Sequence, residues 1–423
     1  MEKDTGYFKE KEKVFTPILA IEEASRCLLC YDAPCTNACP AGTDPAKFIR
    51  SLRFRNFKGA VSTIRENNIL GGICARVCPT DKYCEGACSL CGIDRPIEIG
   101  KIQRVLTDYE QAIGFKCLET AEATKDKVAI IGSGPSGLSA AAKLSAEGYK
   151  VTVFESRKQL GGWFTYGIPE NKLPMKVVEN EIQYVKDLGV EFVLDCKVGK
   201  DITPAGLKKD GFAAILLATG MHKGRDIDIK GNDLKGVING IDFLAEAKTS
   251  GGNIKVGNKV VVIGGGDVAV DCASTAKLLE AEDVKIVYRR TMEKMPADRE
   301  ELAYLQQLNI PVFTGLKPAE VIGEYGKVTQ FKAVGMFDDS KLILDADMVI
   351  FAIGQQPDES VVPADVNEKG MFKTCDYMTS VDGVFASGDI VDGDKTVVYA
   401  VKEGKEAAES IINYLEDKKE GVK

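Results

Sequence analysis

The spacing of apolar positions changes at residue 116 and divides the chain into a helical part and an alternating part. Before it, Pro17-Ile-Leu-Ala-Ile-Glu-Glu-Ala-Ser leads into Cys27, and Pro45-Ala-Lys-Phe-Ile-Arg-Ser-Leu continues at helical spacing. Phe48, Ile49, Leu52, Phe54 and Phe57 are the expected core of this helical stretch. Lys116 to Asp126 turns small and polar, a linker in which Cys117 is an ordinary thiol. After it, Val128-Ala-Ile-Ile131 is a short buried-strand run. There follow a glycine turn, Gly132-x-Gly134-x-x-Gly137, a helical stretch Leu138–Gly148 and a second strand Val151–Phe154. The series recurs about 130 residues later as Lys259–Ile263, Gly264-Gly-Gly266-Asp-Val-Ala269, a helix through Leu279 and a strand Val284–Tyr288.

A strand, a glycine turn, a helix, a second strand and a terminal acid form a dinucleotide-binding unit. The glycines let backbone approach a pyrophosphate, whose charge rests at the helix N-terminus. Glu155 would accept hydrogen bonds from ribose hydroxyls. The second copy has Arg289 and Arg290 where the first has Glu155. Guanidinium groups there suit a 2′-phosphate, and the bland alternative is a solvated pair of arginines. Two such units in one chain mark a flavoprotein that takes hydride from a nicotinamide. Leu216-Leu-Ala-Thr219-Gly220 and Val349-Ile-Phe-Ala352-Ile353-Gly354 read as strands ending beside a nucleotide. Val384-Phe-Ala-Ser-Gly388-Asp389 is another such strand, with Lys395-Thr396-Val397 opening a helix behind it. Asp389 would hold the flavin ribitol, and that helix N-terminus would face the pyrimidine edge of the ring.

Nine of the thirteen cysteines lie between Cys27 and Gln103. They run Cys27-x2-Cys30-x4-Cys35-x3-Cys39-Pro40 and Cys74-x3-Cys78-Pro79-x4-Cys84-x3-Cys88-x2-Cys91. In the ferredoxin pattern three close thiolates grip one cubane, and the cysteine before proline ligates another. Two runs that each carry a Cys-Pro therefore suggest two interlocked 4Fe–4S clusters. A disulfide framework suits short secreted domains rather than a 423-residue chain with an odd cysteine count. Zinc closes at four ligands, and the two Cys-x2-Cys pairs, Cys27/Cys30 and Cys88/Cys91, would leave five of the nine cysteines without a role. The expected fold is α/β: an all-helical iron–sulfur domain (1–115) followed by two Rossmann-like domains. The NAD(P) domain (252–379) is inserted between the two parts of an FAD domain (116–251 and 380–423).

Composition narrows the partners. Hydrophobic content of 44% with 42 glycines describes a folded α/β chain. A net charge of −8 without a basic, aromatic patch argues against nucleic acid. No apolar run approaches the roughly 18–20 residues of a membrane span. MEKDTGYFKEKEKV lacks the apolar centre of a signal peptide. A cytoplasmic protein is expected.

Four stretches carry a family resemblance: Glu23-Ala-Ser-Arg-Cys-Leu-Leu-Cys30, Phe54-Arg-Asn-Phe-Lys-Gly-Ala60, Ala75-Arg-Val-Cys-Pro-Thr80 and Gly388-Asp-Ile-Val-Asp-Gly-Asp-Lys-Thr-Val-Val-Tyr-Ala400. End to end, the chain resembles the small flavoprotein subunits of bacterial NAD-dependent dihydropyrimidine dehydrogenases. It also resembles the N-terminal part of the animal single-chain enzyme and, more distantly, glutamate synthase small subunits. The resemblance implies FAD, two 4Fe–4S clusters, NADPH or NADH, and a hetero-oligomer with an FMN and iron–sulfur subunit that reduces uracil or thymine. It puts one cluster on Cys27, Cys30, Cys35 and Cys88. The other falls to Cys39, Cys78, Cys84 and a glutamine, Gln103, which leaves Cys74 and Cys91 as bystanders. It puts the flavin on Gly132, Ser133, Gly134, Pro135, Ser136 and Gly137, and on Glu155, Gly161, Gly162 and Trp163. Further flavin contacts fall to Lys172, where the family pattern has arginine, to Val198, and to Gly388, Asp389, Lys395, Thr396 and Val397. The nicotinamide nucleotide falls to Gly265, Gly266, Asp267, Val268, Arg289, Arg290, Ala352, Ile353 and Gly354. The bacterial relatives are named for NADH, whereas the arginine pair suits NADPH.

Hydride transfer to flavin N5 is cofactor chemistry, so no catalytic side chain is expected, and the sole histidine, His222, reads as a loop residue. Two other readings compete. The chain could serve a glutamate synthase, or its clusters could be structural props in a non-enzymatic scaffold. A self-contained disulfide reductase fails, because Cys117, Cys196, Cys272 and Cys375 are widely spaced.

Overall fold

The computed structural model describes residues 6–225, 227–358 and 362–420. They form two compact units: one of 12–164, 175–221 and 357–420, the other of 6–11, 165–174 and 222–356. No helix among the described residues is long and apolar enough to cross a membrane.

The first unit begins with six helices: α1 (Pro17–Ser25), α2 (Pro34–Asn37), α3 (Pro45–Arg53), α4 (Phe57–Asn67), α5 (Gly71–Val77) and α6 (Ile99–Ile113). Local chemistry sets their starts. Thr16 Oγ1 accepts Leu19 N–H, Asp44 Oδ1 accepts Lys47 N–H and Asn56 Oδ1 accepts Gly59 N–H, each filling an orphan donor of a first turn. Phe48, Ile49 and Leu52 are buried on one face of α3. Phe54 corrects the expected core: α3 ends at Arg53, so this ring falls off the buried face and is 80% exposed. Phe57 is half-buried and meets Tyr109 at 4.9 Å between ring centroids.

The remainder of this unit is built on a parallel sheet of order β15-β4-β1-β2-β3, with strands Val384–Ala386, Phe212–Leu217, Lys127–Ile131, Lys150–Phe154 and Glu191–Val193. α7 (Pro135–Ala146) crosses from β1 to β2, right behind the glycine turn. α9 (Met175–Asp187) and α10 (Pro204–Lys209) follow in the chain and α14 (Val397–Glu420) closes it, while α8 (Trp163–Tyr166) is shared, its residues 165–166 counting with the other unit. β15 pairs with β4 although more than 160 residues separate them, which makes this fold the split one.

In the second unit, β5 (Lys223–Gly224) pairs with β14 (Gln355–Gln356). A parallel sheet runs β6-β13-β7-β8-β9: Val237–Asn239, Met348–Phe351, Lys259–Ile263, Asp283–Tyr288 and Val312–Thr314. α11 (Gly240–Thr249), α12 (Asp267–Leu278) and α13 (Arg299–Gln307) accompany it. An antiparallel sheet of β10 (Leu316–Glu324), β11 (Lys327–Gly335) and β12 (Lys341–Asp345) completes the unit. Its long segment is therefore 222–356, whereas the pattern placed the insertion at 252–379. β6 joins the second sheet ahead of its glycine turn, which pulls the boundary towards the N-terminus.

Lys248 on α11 is buried, with its Nζ donating to Leu173 O at 2.7 Å. Burial lowers its ammonium to about 7, with Glu170 and Asp271 acting in the opposite direction. The unfolded chain therefore binds more protons between about 7 and the ordinary 10.5, and stability should rise with pH across that window. Lys248→Met is expected to gain roughly 2–4 kcal/mol over the parent below pH 7, and less as pH approaches 10.5. Urea midpoints at pH 6 and pH 10 check this; a constant difference between the two proteins refutes it.

Candidate functional site

The helical domain gathers its thiols into two groups. Cys27, Cys30, Cys35 and Cys88 line one cavity with apolar walls that include Leu28, Ile49, Leu90, Ile97 and Ile99. The Cys35 thiol is pushed up to about 11 by burial and then by the neighbouring Cys27 and Cys88. Cys30 Sγ donates to Ser89 Oγ at 3.2 Å. A second group forms where α5 ends. Burial raises the Cys78 and Cys84 thiols, Cys74 and Cys84 add to the rise at Cys78, and Cys39 contributes at both. Thr43 N–H points at Cys39 Sγ from 3.5 Å. Among the described residues no three Cys, His, Asp or Glu side chains converge as ligands of a single metal ion. Four thiols around an apolar cavity fit a cubane instead, whose ligands surround a larger body.

Gln103 is buried on α6 and its Nε2 donates to Gly71 O at 2.8 Å, at the start of the helix that carries Cys74 and leads to Cys78. Cys91 is exposed and its Sγ turns to Glu85 O at 3.4 Å. Cys74, by contrast, is buried and lies within electrostatic reach of Cys39. Spacing alone does not show that proximity.

The two glycine turns are built alike. Gly132 N–H donates to Phe154 O at 2.9 Å and Ala218 N–H to Ile131 O at 2.8 Å. In the second unit Gly264 N–H donates to Val287 O at 3.1 Å and Ala352 N–H to Ile263 O at 2.8 Å. Gly132 (φ +109°) and Gly264 (φ +149°) bring backbone against backbone. A Cβ on either would meet Ala218 O at 2.4 Å or Ala352 O at 2.2 Å. This correspondence matches Ala218-Thr219-Gly220 with Ala352-Ile353-Gly354. It also corrects one pairing. Because Ile131 pairs with Phe154 and Ile263 with Val287, the counterpart of Glu155 is Tyr288, and Arg289 and Arg290 are the next two residues. Both arginines are exposed and make no ion pair among the described residues.

At the first turn Glu155 is buried, and its Oε2 accepts from Ser133 N–H (3.1 Å) and Ser133 Oγ (2.6 Å). Gly161 N–H donates to Ser133 Oγ at 3.1 Å, which brings the Gly161–Trp163 segment to the same turn. Val198 packs in the core with Ile131 and Phe154. The Thr219 hydroxyl is buried without a hydrogen-bond partner among the described residues, an orphan that a nucleotide would satisfy. Gly134, with Pro135 next to it, faces open space where a Cβ would point. The two halves of the split fold meet where Ser136 Oγ and Ser387 Oγ lie 2.6 Å apart, and Gly388 N–H donates to Glu403 Oε2 at 2.8 Å. Ser387 and Glu403 were missed by the sequence reading, since only the β15–β4 pairing brings them here. Burial raises the Asp389 carboxyl, and the Lys395 charge opposes that rise. Thr396 and Val397 sit where α14 begins. These features fit a flavin nucleotide.

At the second turn Asp267 Oδ1 accepts Asp298 N–H at 3.1 Å and Gly265 O accepts Ala297 N–H at 3.2 Å, while Gly266 caps α12 and Val268 lies in its first turn. Lys172 belongs to this unit. Its Nζ is held by Asp271 Oδ1 (2.5 Å) and Glu301 Oε2 (2.7 Å). His222 is exposed in the loop before β5.

Residues 4–115 match the family described as dihydropyrimidine dehydrogenase domain II, 4Fe-4S cluster, and residues 126–404 match the pyridine nucleotide-disulphide oxidoreductase family. The chain is 45% identical over 97% of its length to the NAD-dependent dihydropyrimidine dehydrogenase subunit PreT of Escherichia coli K12, of which it covers 98%. It is 33% identical over 97% of its length to the NADPH glutamate synthase small chain of Halomonas elongata, covering 93% of that protein. The thioredoxin reductase of T. acidophilum superposes on 70% of this chain and 99% of its own, with a TM-score of 0.58 at 20% identity, a likeness of fold alone. The helical iron–sulfur domain followed by nucleotide-binding α/β units is therefore the architecture of an oxidoreductase, and the chain belongs to the PreT family of NAD-dependent dihydropyrimidine dehydrogenase subunits.

Proposed function

We propose that this chain is the electron-input subunit of a dihydropyrimidine dehydrogenase. It takes hydride from NADPH or NADH onto FAD and passes single electrons through two 4Fe–4S clusters. A partner subunit with FMN and iron–sulfur centres receives them and reduces uracil or thymine to the 5,6-dihydro form. The observation that carries this reading is the sorting of thiols into two groups in a domain joined to a flavin-type fold. When bound, FAD supplies the conversion of a two-electron donor into one-electron steps. The chain's own residues bind and orient. Gly132 to Gly137 admit a pyrophosphate, Glu155 presents a carboxylate to the ribose, and Thr219 offers its unpaired hydroxyl. Cys27, Cys30, Cys35 and Cys88 would hold one cluster, and Cys39, Cys78, Cys84 and Gln103 the other.

The exposed Arg289 and Arg290 favour NADPH, because planar guanidinium groups bind phosphate in a bidentate way. The Arg289→Ala/Arg290→Ala double variant is expected to lower kcat/KM for NADPH roughly 10–100-fold, the worth of one or two charge-assisted bonds, and to leave NADH nearly unchanged. Ferricyanide reduction with each nucleotide measures both values. Equal losses for the two nucleotides would refute the phosphate contact.

The whole reading is tested by isolating the native complex from the source cells and assaying nucleotide-dependent uracil reduction. FMN in a co-purifying subunit, with dihydrouracil as product, is the expected result. A glutamine amidotransferase as the co-purifying subunit places the chain with the glutamate synthases. Failure of the flavin- and iron-loaded chain to reduce dyes with either nucleotide leaves only the scaffold reading.

A further inference from the structure

Two hydrogen-bonded ties join the second thiol group to one helix of the flavin fold. Tyr83, directly before Cys84, donates its hydroxyl to Asp394, and its oxygen lies 3.1 Å from Thr396 Oγ1, just ahead of α14. Further along α14, Lys405 Nζ donates to Ala41 O at 2.6 Å and to Asn67 O at 2.7 Å. Ala41 follows Cys39 by two residues. The loop ahead of α14 and Lys405 on it therefore grip the segments carrying Cys39 and Cys84 at points about 12 Å apart along the helix. α14 is itself fixed to the flavin fold. Ser139 Oγ on α7 donates to Val401 O at 2.8 Å, and Glu403 holds Gly388 N–H.

We propose that Tyr83 and Lys405 are positioning residues for the flavin-to-cluster electron step, holding the Cys39/Cys78/Cys84 centre at a set distance from the flavin-binding head of α14. The proposal rests on the functional reading above. A bound flavin would supply the splitting of a hydride's two electrons into single electrons, one for each cluster, with the proton released to solvent. No other oxidant is needed within the chain. Lys405 has a second effect. Its ammonium stands beside the segment of Cys39, where it favours the extra negative charge that a cluster gains on reduction.

The test uses the full chain loaded with flavin and iron, mixed anaerobically with NADPH, so that flavin bleaching and cluster bleaching are followed separately. Tyr83→Phe removes only a hydroxyl, Lys405→Gln removes only the charge, and Lys402→Gln on the same helix is the control. In Tyr83→Phe and Lys405→Gln the cluster phase should slow about tenfold, the size of effect seen for outer-shell supports. The flavin phase, iron content and flavin content should match the parent and the control. Amide hydrogen exchange across residues 80–88 should quicken in Tyr83→Phe, and the cluster potential should fall in Lys405→Gln. Parent-like cluster reduction in both variants overturns the proposal, as does equal slowing of both phases. Should Lys405→Gln lose iron, Tyr83→Phe decides alone. A parent that bleaches its flavin and never its clusters refutes instead the functional reading beneath.

Discussion

Arg65→Met is expected to cost about 3–5 kcal/mol of unfolding free energy, because it strands two buried carboxylates around an uncharged side chain. Arg65 is fully buried on α4. Its Nη2 donates to Glu110 on α6 and to Glu181 on α9, each at 2.6 Å, and Nη1 donates to Glu181 Oε2 at 2.9 Å. The Tyr184 ring lies 4.7 Å from the guanidinium carbon, and Glu181 also accepts Gly72 N–H at 3.0 Å. One cation thus ties two helices of the iron–sulfur domain to a helix of the flavin fold. A buried ion pair is weak evidence of net stability, yet removing one member of it is severe. Burial already raises the Glu110 carboxyl while Arg65 lowers it, so removing the cation leaves that rise unopposed. Arg65→Met/Glu110→Leu should recover part of the loss, and chemical denaturation of the single and double variants gives the coupling. A loss below about 1 kcal/mol for Arg65→Met would falsify this account.

Nothing in the sequence announces that tie. Arg65 and Glu181 stand 116 positions apart and belong to no motif. The glycine turns were legible because their signals are local. Four consecutive apolar residues mark a strand buried on both faces, and the glycines, the helix and the next strand follow at fixed spacing. Register was less legible. Counting to the end of β8 put Arg289 opposite Glu155, whereas the ladder puts Tyr288 there, because this strand runs one residue longer than its counterpart. Phe54 looked like core because it is aromatic and near Leu52, yet the helix stops first. The sorting of thiols was the least legible from spacing. Cys35 and Cys39 are only four positions apart, yet Cys35 lines the cavity with Cys27, Cys30 and Cys88, while Cys39 lies near Cys74, Cys78 and Cys84.

Gln103→Ala should strip about four of roughly eight iron atoms per chain, the content of one cubane, while Cys91→Ser keeps them all. In the proposed two-cluster arrangement seven cysteines would leave one of eight ligand positions to be filled. Cys91 is poorly placed, being exposed with its sulfur turned to Glu85 O. Cys74 is the stronger rival, since it is buried one turn before Cys78 and near Cys39. Gln103 is buried at the same place, and its amide nitrogen is committed to Gly71 O, which leaves the amide oxygen as the ligating atom. A neutral oxygen in place of a thiolate removes one negative charge from the cluster's surroundings, so the Gln103 centre should be easier to reduce than an all-cysteine one. Gln103→Cys should accordingly restore the iron lost in Gln103→Ala and lower that centre's potential. Iron content and redox titration of Cys74→Ser, Cys91→Ser, Gln103→Ala and Gln103→Cys settle the eighth ligand. Full iron in Gln103→Ala with a missing cluster in Cys74→Ser assigns it to Cys74.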